Sequence, residues 1–492
     1  MPSVSSARGA VQVVSEDIAL LSAAEMVRRF RAGALAPSDV MEAVFRRIDA
    51  LNPRLNAYVT LDRERAMAAS RAATEALARG GADRAGPLHG VPVSIKDVTP
   101  VAGLRWTFGS PLHADQVATE DALIVQRLKA AGAIVVGKTN TPDFAFGGVT
   151  DNVLFGPTRN PWDPRMTAGG STGGGAAAVA AGMGPIAQGG DLGGSLRTPA
   201  AFCGIVGFRS SPGLVPIWPN PLPWDPNIVE GTMARTVEDI ALSLAAIAGA
   251  DPRAPLSYRA DQARFMAALA APRVEGWRVA WTPDLGGLLP VEPEIAAAVE
   301  RAAEAFREMG AVVERASPDF GGLMDTVLPT RGLIMAALHA DKVATDRARL
   351  PPALVWNVEL GLKLSPESIA KGERTRGVLT QRAAAFFARH DALLLPTEAV
   401  APFEVGIDFP ASINGVPLDN PIHWFALAYA ATAVGLPALS VPVGFTRAGL
   451  PIGMQIVVGH RREEAAIAAG AAFEAARPWA HRVPPCVAAL GT

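Results

Sequence analysis

The chain has 492 residues, 49% of them hydrophobic, and its 45 Lys and Arg nearly balance 47 Asp and Glu, for a net charge of −2. This composition is typical of a compact enzyme and provides no basic field that would bind a nucleic acid. Only two cysteines occur, Cys203 and Cys486, which excludes a disulfide framework and a C-x-x-C metal or redox site. We expect neither a cofactor nor a metal.

The first residues predict a cytoplasmic protein. Residues 1–8 lack a charged segment that leads into an apolar core, and residues 15–17 (Ser-Glu-Asp) interrupt the short apolar run at 11–14. A secretory signal peptide needs both parts. We expect a small-molecule substrate as the partner and a homodimer as the assembly, with neither a nucleic acid nor a membrane.

Three helices are predicted near the N-terminus. Ser22 and Ser38 can cap helices over residues 23–31 and 39–51, and Gly33 and Pro53 mark their ends. An alanine-rich helical run follows at 62–79. We therefore expect residues 1–80 to form a helical segment packed on a main domain that spans residues 81–492.

Helix, glycine and strand then alternate along the chain. Thr119 can cap a helix that runs to Ala131 and stops at Gly132, before a strand at 133–136. A helix at 293–309, Gly310 and a strand at 311–314 repeat this order. Such units predict an α/β fold, with a sheet covered by helices on both faces.

One uncharged stretch, residues 424–446, is long enough to cross a bilayer. Gly435, Pro437 and Pro442 interrupt it, because glycine and proline weaken or break a helix interior. The stretch therefore predicts a buried helix that ends near Thr432 and a buried strand at 438–443, both in the core.

Two glycine-rich segments each carry a serine. Residues 169–175 contain Ser171, and residues 190–199 (Gly-Asp-Leu-Gly-Gly-Ser-Leu-Arg-Thr-Pro) contain Ser195. A serine framed by glycines can present a nucleophile together with the backbone N–H groups that stabilise an oxyanion. This pairing indicates acyl transfer.

Lys96 supplies a candidate base. It lies near the end of the run Leu-His-Gly-Val-Pro-Val-Ser-Ile-Lys-Asp at 88–97, in which residues 91–95 predict a short buried strand. A lysine that emerges from such a strand is desolvated, which lowers the pKa of its amine. A neutral lysine can activate a serine.

On these motifs the chain resembles the amidase signature family, whose members carry a Ser-Ser-Lys triad. The resemblance runs from about residue 88 to residue 459 and includes residues 132–141, 160–163, 202–207 and 435–440. It implies a large twisted mixed sheet covered by helices on both faces. Residues 251–390 lack family motifs, and we expect them to form the variable region that shapes the substrate site.

The resemblance also implies a role for each member of the triad. Ser195 would be the nucleophile that attacks the carbonyl carbon. Ser171 would lie between it and Lys96, relaying the proton and later delivering it to the leaving amine. Neutral Lys96 would be the ultimate base. In the family the peptide bond before the bridging serine is cis, which here joins Gly170 to Ser171, and we place Gly170 among the substrate-binding residues.

The nucleophile turn would also form the oxyanion hole. Its donors would be the N–H groups of Leu192, Gly193, Gly194 and Ser195, each worth roughly 3 to 4 kcal/mol of barrier in comparable enzymes. Three sites depart from the family pattern. Thr172 replaces a common second serine, Gly190 replaces a common threonine before Asp191, and residues 208–211 (Phe-Arg-Ser-Ser) replace the usual Leu-Lys-Pro-Thr.

Residues 169–173 also fit G-x-S-x-G, the nucleophile elbow of α/β-hydrolases. In that interpretation the protein is an esterase in which Ser171 is the nucleophile and His423, His460 or His481 is the base. An elbow follows an apolar strand, whereas residues 160–168 predict a loop.

Residues 132–139 satisfy the P-loop pattern G-x-x-x-x-G-K-[ST]. The intervening residues are Ala-Ile-Val-Val, and β-branched residues favour a strand over a phosphate-binding loop. Pro142 follows where a P-loop would open a helix. We therefore favour a strand and a turn over nucleotide binding.

Three neighbouring residues have structural interpretations. Arg197 is expected to form an ion pair with Asp191, and Cys203 to fill a small space in the core. His89 is expected to be a packed polar residue, because no acid lies at a useful spacing.

Two classes of function fit these motifs. The first is a stand-alone serine hydrolase of amides, with carbamates (urethanes) and esters as further substrates; the second is the glutaminase subunit of a tRNA-dependent amidotransferase. That subunit, as the family is known, carries a tyrosine-rich glutamine-binding tract. The corresponding residues 331–339 contain no tyrosine, and the chain has only Tyr58, Tyr258 and Tyr429. This favours the stand-alone enzyme.

Residues 212–227 predict the loop at the mouth of the site. Six prolines preclude a regular helix or a central strand, and Trp218 and Trp224 offer two large apolar surfaces. The only charge in the loop is Asp225, so it has no basic residue to bind a carboxylate. The loop predicts neutral, apolar acyl or amine groups, above all aryl amides. The alternative is that both tryptophans pack inward.

Overall fold

The computed structural model describes residues 17–81 and 85–490. The N-terminal residues that carried the prediction of a cytoplasmic protein lie outside the described part, apart from Asp17. Within that part no helix is long and apolar enough to cross a membrane.

The helices follow one another along the whole described chain. They are α1 (Ala23–Arg31), α2 (Pro37–Leu55), α3 (Arg63–Ala78), α4 (Leu123–Ala130), α5 (Gly173–Ala180), α6 (Arg197–Cys203), α7 (Val237–Ile247), α8 (Ala263–Ala270), α9 (Pro293–Glu308), α10 (Leu323–Asp346), α11 (Pro352–Leu362), α12 (Pro366–Phe387), α13 (Ala426–Ala433), α14 (Glu463–Ala476) and α15 (Pro485–Ala488).

The strands are mostly short and buried. They are β1 (Tyr58–Leu61), β2 (Pro92–Lys96), β3 (Ile134–Thr139), β4 (Ile186–Asp191), β5 (Val206–Arg209), β6 (Val229–Ala234), β7 (Arg278–Trp281), β8 (Val312–Arg315), β9 (Ala392–Pro396), β10 (Ser412–Ile413), β11 (Val416–Pro417), β12 (Ala438–Phe445) and β13 (Pro451–Val458).

Eleven of these strands form one mixed sheet, in the order β1-β3-β2-β4-β6-β5-β12-β13-β9-β7-β8. The strands β3, β2 and β4 are mutually parallel, as are β9, β7 and β8. The strands between them pair antiparallel. The remaining strands, β10 and β11, form a separate hairpin.

Helices cover both faces of the sheet. Neighbouring strand residues belong to different hydrophobic clusters: Ile186 packs with α4, α7 and α14, whereas Ala187 packs with α2 and α5. Because successive side chains of a strand point to opposite faces, the two clusters are the two covered faces. The predicted α/β fold is confirmed.

Several predicted helices and strands are confirmed. Ser22 caps α1, since its Oγ accepts the Glu25 N–H at 3.1 Å. The predicted strand before Lys96 is β2. The uncharged stretch near the C-terminus forms α13 and then β12, both largely buried.

Two predicted helix caps are wrong. Helix α2 begins at Pro37 rather than after Ser38, because proline suits the first helical position, where no N–H partner is needed. It also continues past Pro53 to Leu55. Thr119 caps nothing, and α4 begins only at Leu123. Backbone bonds from Ala118 to Leu104 and from Ala122 to Pro100 hold the preceding segment in a loop.

The N-terminal segment also contributes to the main sheet. Its strand β1, which the sequence did not predict, pairs antiparallel with β3 at the sheet edge. The division at residue 80 stays a prediction.

The P-loop interpretation is wrong. Residues 134–139 form the buried strand β3, and its Lys138 faces a carboxylate instead of a phosphate site. The Lys138 ammonium lies 3.0 Å from the Asp97 carboxylate, and both side chains are almost fully buried. Asp97 also accepts the hydroxyl hydrogen of Thr107.

Lys138→Met is expected to lower the free energy of unfolding by about 3 to 5 kcal/mol, because it leaves the Asp97 carboxylate buried without its cation. The control is Lys129→Met, which removes the more exposed ion pair with Asp121 and should cost at most about 1 kcal/mol. Urea denaturation of both variants measures the difference. Equal losses would contradict a structural role for the buried pair.

Candidate active site

Two parallel strands bring the candidate residues together. Strands β2 and β4 are neighbours in register, with Ile95 opposite Gln188. Lys96 ends β2, and Asp191 ends β4. Because the carboxyl ends of parallel strands lie at the same edge, Lys96 meets the turn that carries Ser195.

Lys96 and Ser171 are in direct contact. The Lys96 Nζ lies 2.6 Å from the Ser171 Oγ and 3.1 Å from the Thr172 Oγ1. The lysine side chain is buried, as is Ser171. Thr172, noted in the sequence as a departure from the family pattern, therefore supplies a second hydroxyl to the amine.

Close approaches explain the glycines around this contact. The peptide bond between Gly170 and Ser171 is cis. A Cβ on Gly170 would lie 2.7 Å from the carbonyl carbon of Val149, and one on Gly189 would lie 2.6 Å from the Thr172 Oγ1. Only glycine fits at both positions.

The nucleophile-elbow interpretation is wrong. Residues 160–168 form a loop rather than a strand leading into Ser171. The side-chain partner of Ser171 is Lys96, and His423, His460 and His481 do not line the cavity that contains it. The three histidines named for that role are therefore not placed to act as a base for Ser171.

Burial sets the protonation state of the lysine. Desolvation lowers the pKa of Lys96 to about 7, although the negative charge of Asp191 acts to raise it. Asp191 is itself neutralised by Arg197 and Arg209, whose nitrogens lie 2.9 and 3.1 Å from its Oδ1. Burial opposes the ionised carboxylate, yet the two arginines hold the pKa of Asp191 well below its usual range.

Asp191 also shapes the candidate oxyanion loop. Its carboxylate accepts the N–H groups of Gly194, at 3.1 Å, and Leu196, at 3.2 Å. The N–H groups of Leu192, Gly193 and Ser195 make no hydrogen bond to another described residue. In this structure Gly194 therefore donates to Asp191, and its role as an oxyanion donor stays a prediction.

A cavity of about 480 Å³ opens over Lys96, Ser171 and Ser195. Its walls are mainly apolar and aromatic, with a few polar groups. The lining side chains beyond the catalytic candidates include Val98, Thr99, Trp106, Phe108, His113, Gln116, Phe144, Leu192, Ile217, Pro221, Ile228, Glu230, Met335, Leu338, His339 and Lys342.

The 212–227 loop lines part of the cavity, but its two tryptophans do not. Ile217 and Pro221 line the cavity, whereas Trp218 and Trp224 do not. Trp224 is 72% exposed. The Trp218 ring centroid lies 5.8 Å from the Arg253 guanidinium carbon. Gly170 lines a small pocket of about 30 Å³ on which Ser195 also borders.

Sequence reasoning missed the aromatic wall. Trp106, Phe108 and Phe144 form a continuous row of rings, with neighbouring ring centroids 4.9 and 5.9 Å apart. They come from loops without a periodic pattern. The sequence of α10 did contain a usable pattern, because Met335 and His339 are four residues apart and therefore lie on one helix face.

The expected ion pair of Arg197 with Asp191 is confirmed, as is the core position of Cys203. His89 is packed against the Ala73 carbonyl oxygen at 3.2 Å. In residues 17–81 and 85–490, no group of three His, Cys, Asp or Glu side chains is placed to hold a metal ion.

A family model described as Amidase matches residues 39–467. The chain belongs to the amidase signature family. The amidase is 37% identical over 480 residues to an acylamidase of Rhodococcus erythropolis, in a match that covers 96% of this chain and 98% of the relative.

A solved bacterial aryl acylamidase of the same family superposes with a TM-score of 0.86 at 33% identity, covering 94% of this chain and 98% of the other. A glutamyl-tRNA(Gln) amidotransferase subunit of Picosynechococcus sp. is 32% identical, covering 91% of this chain and 96% of the relative. These similarities identify the amidase as an enzyme that hydrolyses amides.

The kcat/KM for an anilide is expected to rise about tenfold per pH unit below pH ~7 and to reach a plateau above it, because only unprotonated Lys96 can accept a proton. The rate rises with pH because the amine of Lys96, whose pKa is about 7, loses its proton and its charge as the pH rises. Initial rates measured across a pH series give the profile.

Glu230 provides the control, because it lines the same cavity and burial raises its pKa to about 8. The rising limb should persist in Glu230→Gln. A flat profile in the wild type, or a limb that disappears with Glu230, would contradict the assignment to Lys96.

Proposed function

We propose that this amidase cleaves apolar and aryl amides through an acyl-enzyme on Ser195, with Ser171 and Lys96 as the proton relay. One observation carries the proposal. The buried amine of Lys96 lies 2.6 Å from the Ser171 hydroxyl, at the base of an aromatic-walled cavity that Ser195 also lines.

In the first half-reaction the Ser195 Oγ attacks the amide carbonyl carbon. Its proton passes to the Ser171 Oγ as the Ser171 proton passes to the Lys96 Nζ. The carbonyl oxygen becomes an oxyanion, and the unpaired N–H groups of Leu192, Gly193 and Ser195 supply donors for it.

Collapse of this intermediate breaks the C–N bond. Lys96 returns its proton through Ser171 to the leaving nitrogen, which departs as a neutral amine, and the acyl group stays on Ser195 as an ester. Water then attacks the ester along the same relay, which releases the carboxylic acid and restores the Ser195 hydroxyl. Lys96, Ser171 and Ser195 are then back in their starting protonation states.

The cavity supports the choice of substrate. Its wall of Trp106, Phe108 and Phe144 suits an aromatic ring. An acyl-enzyme is also compatible with carbamates (urethanes) and esters, whose carbonyl carbon accepts the same nucleophile.

The alternative is the glutaminase subunit of an amidotransferase. The wall formed by α10 presents Met335, Leu338 and His339 to the cavity, with no tyrosine. Free glutamine has no aromatic group to use the apolar wall. Gel filtration with a glutaminase assay distinguishes the two, since efficient ammonia release from glutamine would favour the amidotransferase.

Ser195→Ala should abolish turnover while the protein stays folded. Ser171→Ala and Lys96→Met should each lower kcat by several orders of magnitude. The double variant should be scarcely worse than the poorer single variant, because residues that act as one relay are not additive. Single-turnover kinetics on an anilide measures this, and circular dichroism checks the fold. Multiplying losses in the double variant would exclude a common relay.

Phe144→Leu should lower kcat/KM for an anilide by about 1 to 3 kcal/mol of transition-state binding, and less for acetamide, because acetamide cannot reach the aromatic wall. The matched control is Trp224→Leu, which alters the exposed tryptophan outside the cavity. A larger loss from Trp224→Leu than from Phe144→Leu would place the aryl group at the outer loop instead.

A further inference from the structure

A basic cluster surrounds Phe144 at one end of the catalytic cavity. The ring centroids of His113 and His339 lie 5.7 and 4.9 Å from that of Phe144, and the Lys342 Nζ lies 5.5 Å from the same centroid. All four residues line the cavity. The acyl-transfer steps proposed above use none of the three basic side chains.

Lys342 and His339 have unused hydrogen-bonding capacity, whereas the His113 Nδ1 already lies 2.6 Å from the Gln116 Oε1. The lysines that form ion pairs in the described residues are Lys129, Lys138 and Lys371, and Lys342 is not among them. The His339 side chain is only 9% exposed, and its Nδ1 has no hydrogen-bond partner. A buried imidazole nitrogen without a partner is costly unless a ligand provides one.

Helix α10 sets the distance of this cluster from the nucleophile. Met335, Leu338, His339 and Lys342 follow the spacing of one helix face and line the cavity together. Met335 also lines the small pocket that borders Ser195. Lys342 comes seven residues later, which is two helical turns, or about 10 Å along the axis.

The acidic groups of the cavity lie at its other end. Asp191 is bound by two arginines, as described above. Glu230 pairs in register with Gly190, beside the serine turn, and burial raises its pKa to about 8. The Phe144 end therefore presents the Lys342 ammonium and the imidazoles of His113 and His339 to the cavity. Burial, Lys342 and His113 together lower the pKa of His339 to about 4, so its neutral ring can donate one N–H.

We propose that the Phe144 end of the cavity binds a carboxylate of the substrate, held by Lys342 with His113 and His339. The preferred substrates are then amides that carry a carboxylate about 10 Å from the scissile carbonyl, with an apolar or aryl spacer between them. This proposal rests on the proposed function and refines it. The basic groups come from α10 and from the segment at Pro111–His113, not from the 212–227 loop that contains no base.

Two matched pairs of substrates test the proposal, one for each side of the amide. On the amine side, 4-acetamidocinnamate is compared with 4-acetamidocinnamyl alcohol. On the acyl side, suberanilate is compared with the anilide of 8-hydroxyoctanoic acid. In at least one pair, the acid should exceed the alcohol in kcat/KM by roughly 10- to 100-fold, the range of one charge-assisted hydrogen bond.

Lys342→Met should reduce this acid-to-alcohol ratio to near 1. Lys363→Met, which removes an exposed lysine outside the cavity, should leave the ratio as in the wild type. Equal rates for acid and alcohol in both pairs, or a preference that survives in Lys342→Met, would overturn the proposal. Failure of the wild type to cleave any of the four anilides would instead count against the proposed function.

A binding measurement covers the case in which Lys342→Met does not fold. In the Ser195→Ala protein, NMR titration of labelled histidines, assigned with His339→Gln, follows the imidazole of His339. Bound 4-acetamidocinnamate or bound suberanilate should raise the pKa of His339, because a nearby carboxylate stabilises the protonated ring. The matching alcohol should not raise it. An unchanged pKa of His339 with both acids would also overturn the proposal.

Discussion

The amine of Lys96 is buried against the hydroxyl of Ser171, 2.6 Å away, and the proposed proton relay requires that amine to be uncharged. A lysine in the interior retains its proton when an unneutralised carboxylate lies beside it. Two carboxylates are close in sequence or space, Asp97 and Asp191, and each is bound by other cations. Asp97 pairs with Lys138, while Asp191 pairs with Arg197 and Arg209.

These ion pairs also position the catalytic backbone. Asp191 ends β4 and accepts two N–H groups of the following turn, which fixes the loop that carries Ser195. The neighbouring parallel strand β2 brings Lys96 to the same sheet edge. One buried carboxylate therefore orders the serine loop, while its arginines limit its effect on the lysine. The cost of burying these charges is offset only because each is paired and hydrogen-bonded.

The cavity combines two chemical environments. Near the serines, backbone N–H groups and hydroxyls provide the polar contacts for a carbonyl group. Farther away, Phe144 and its aromatic neighbours form an apolar wall, followed by basic side chains from α10. The substrate that we propose, an amide with a polar centre and an apolar arm, uses both environments.

The sequence by itself determined the local chemistry. Glycine-framed serines, a lysine at the end of an apolar strand and the capping serine of α1 all depend on nearby residues, so their patterns could be interpreted without coordinates. The α/β architecture followed from the alternation of helix, glycine and strand. The tertiary structure decided what depends on distant segments: the exposed position of Trp224, and the meeting of His113 and Lys342 around Phe144. Packing brings together residues more than 200 positions apart, and no local pattern records such contacts.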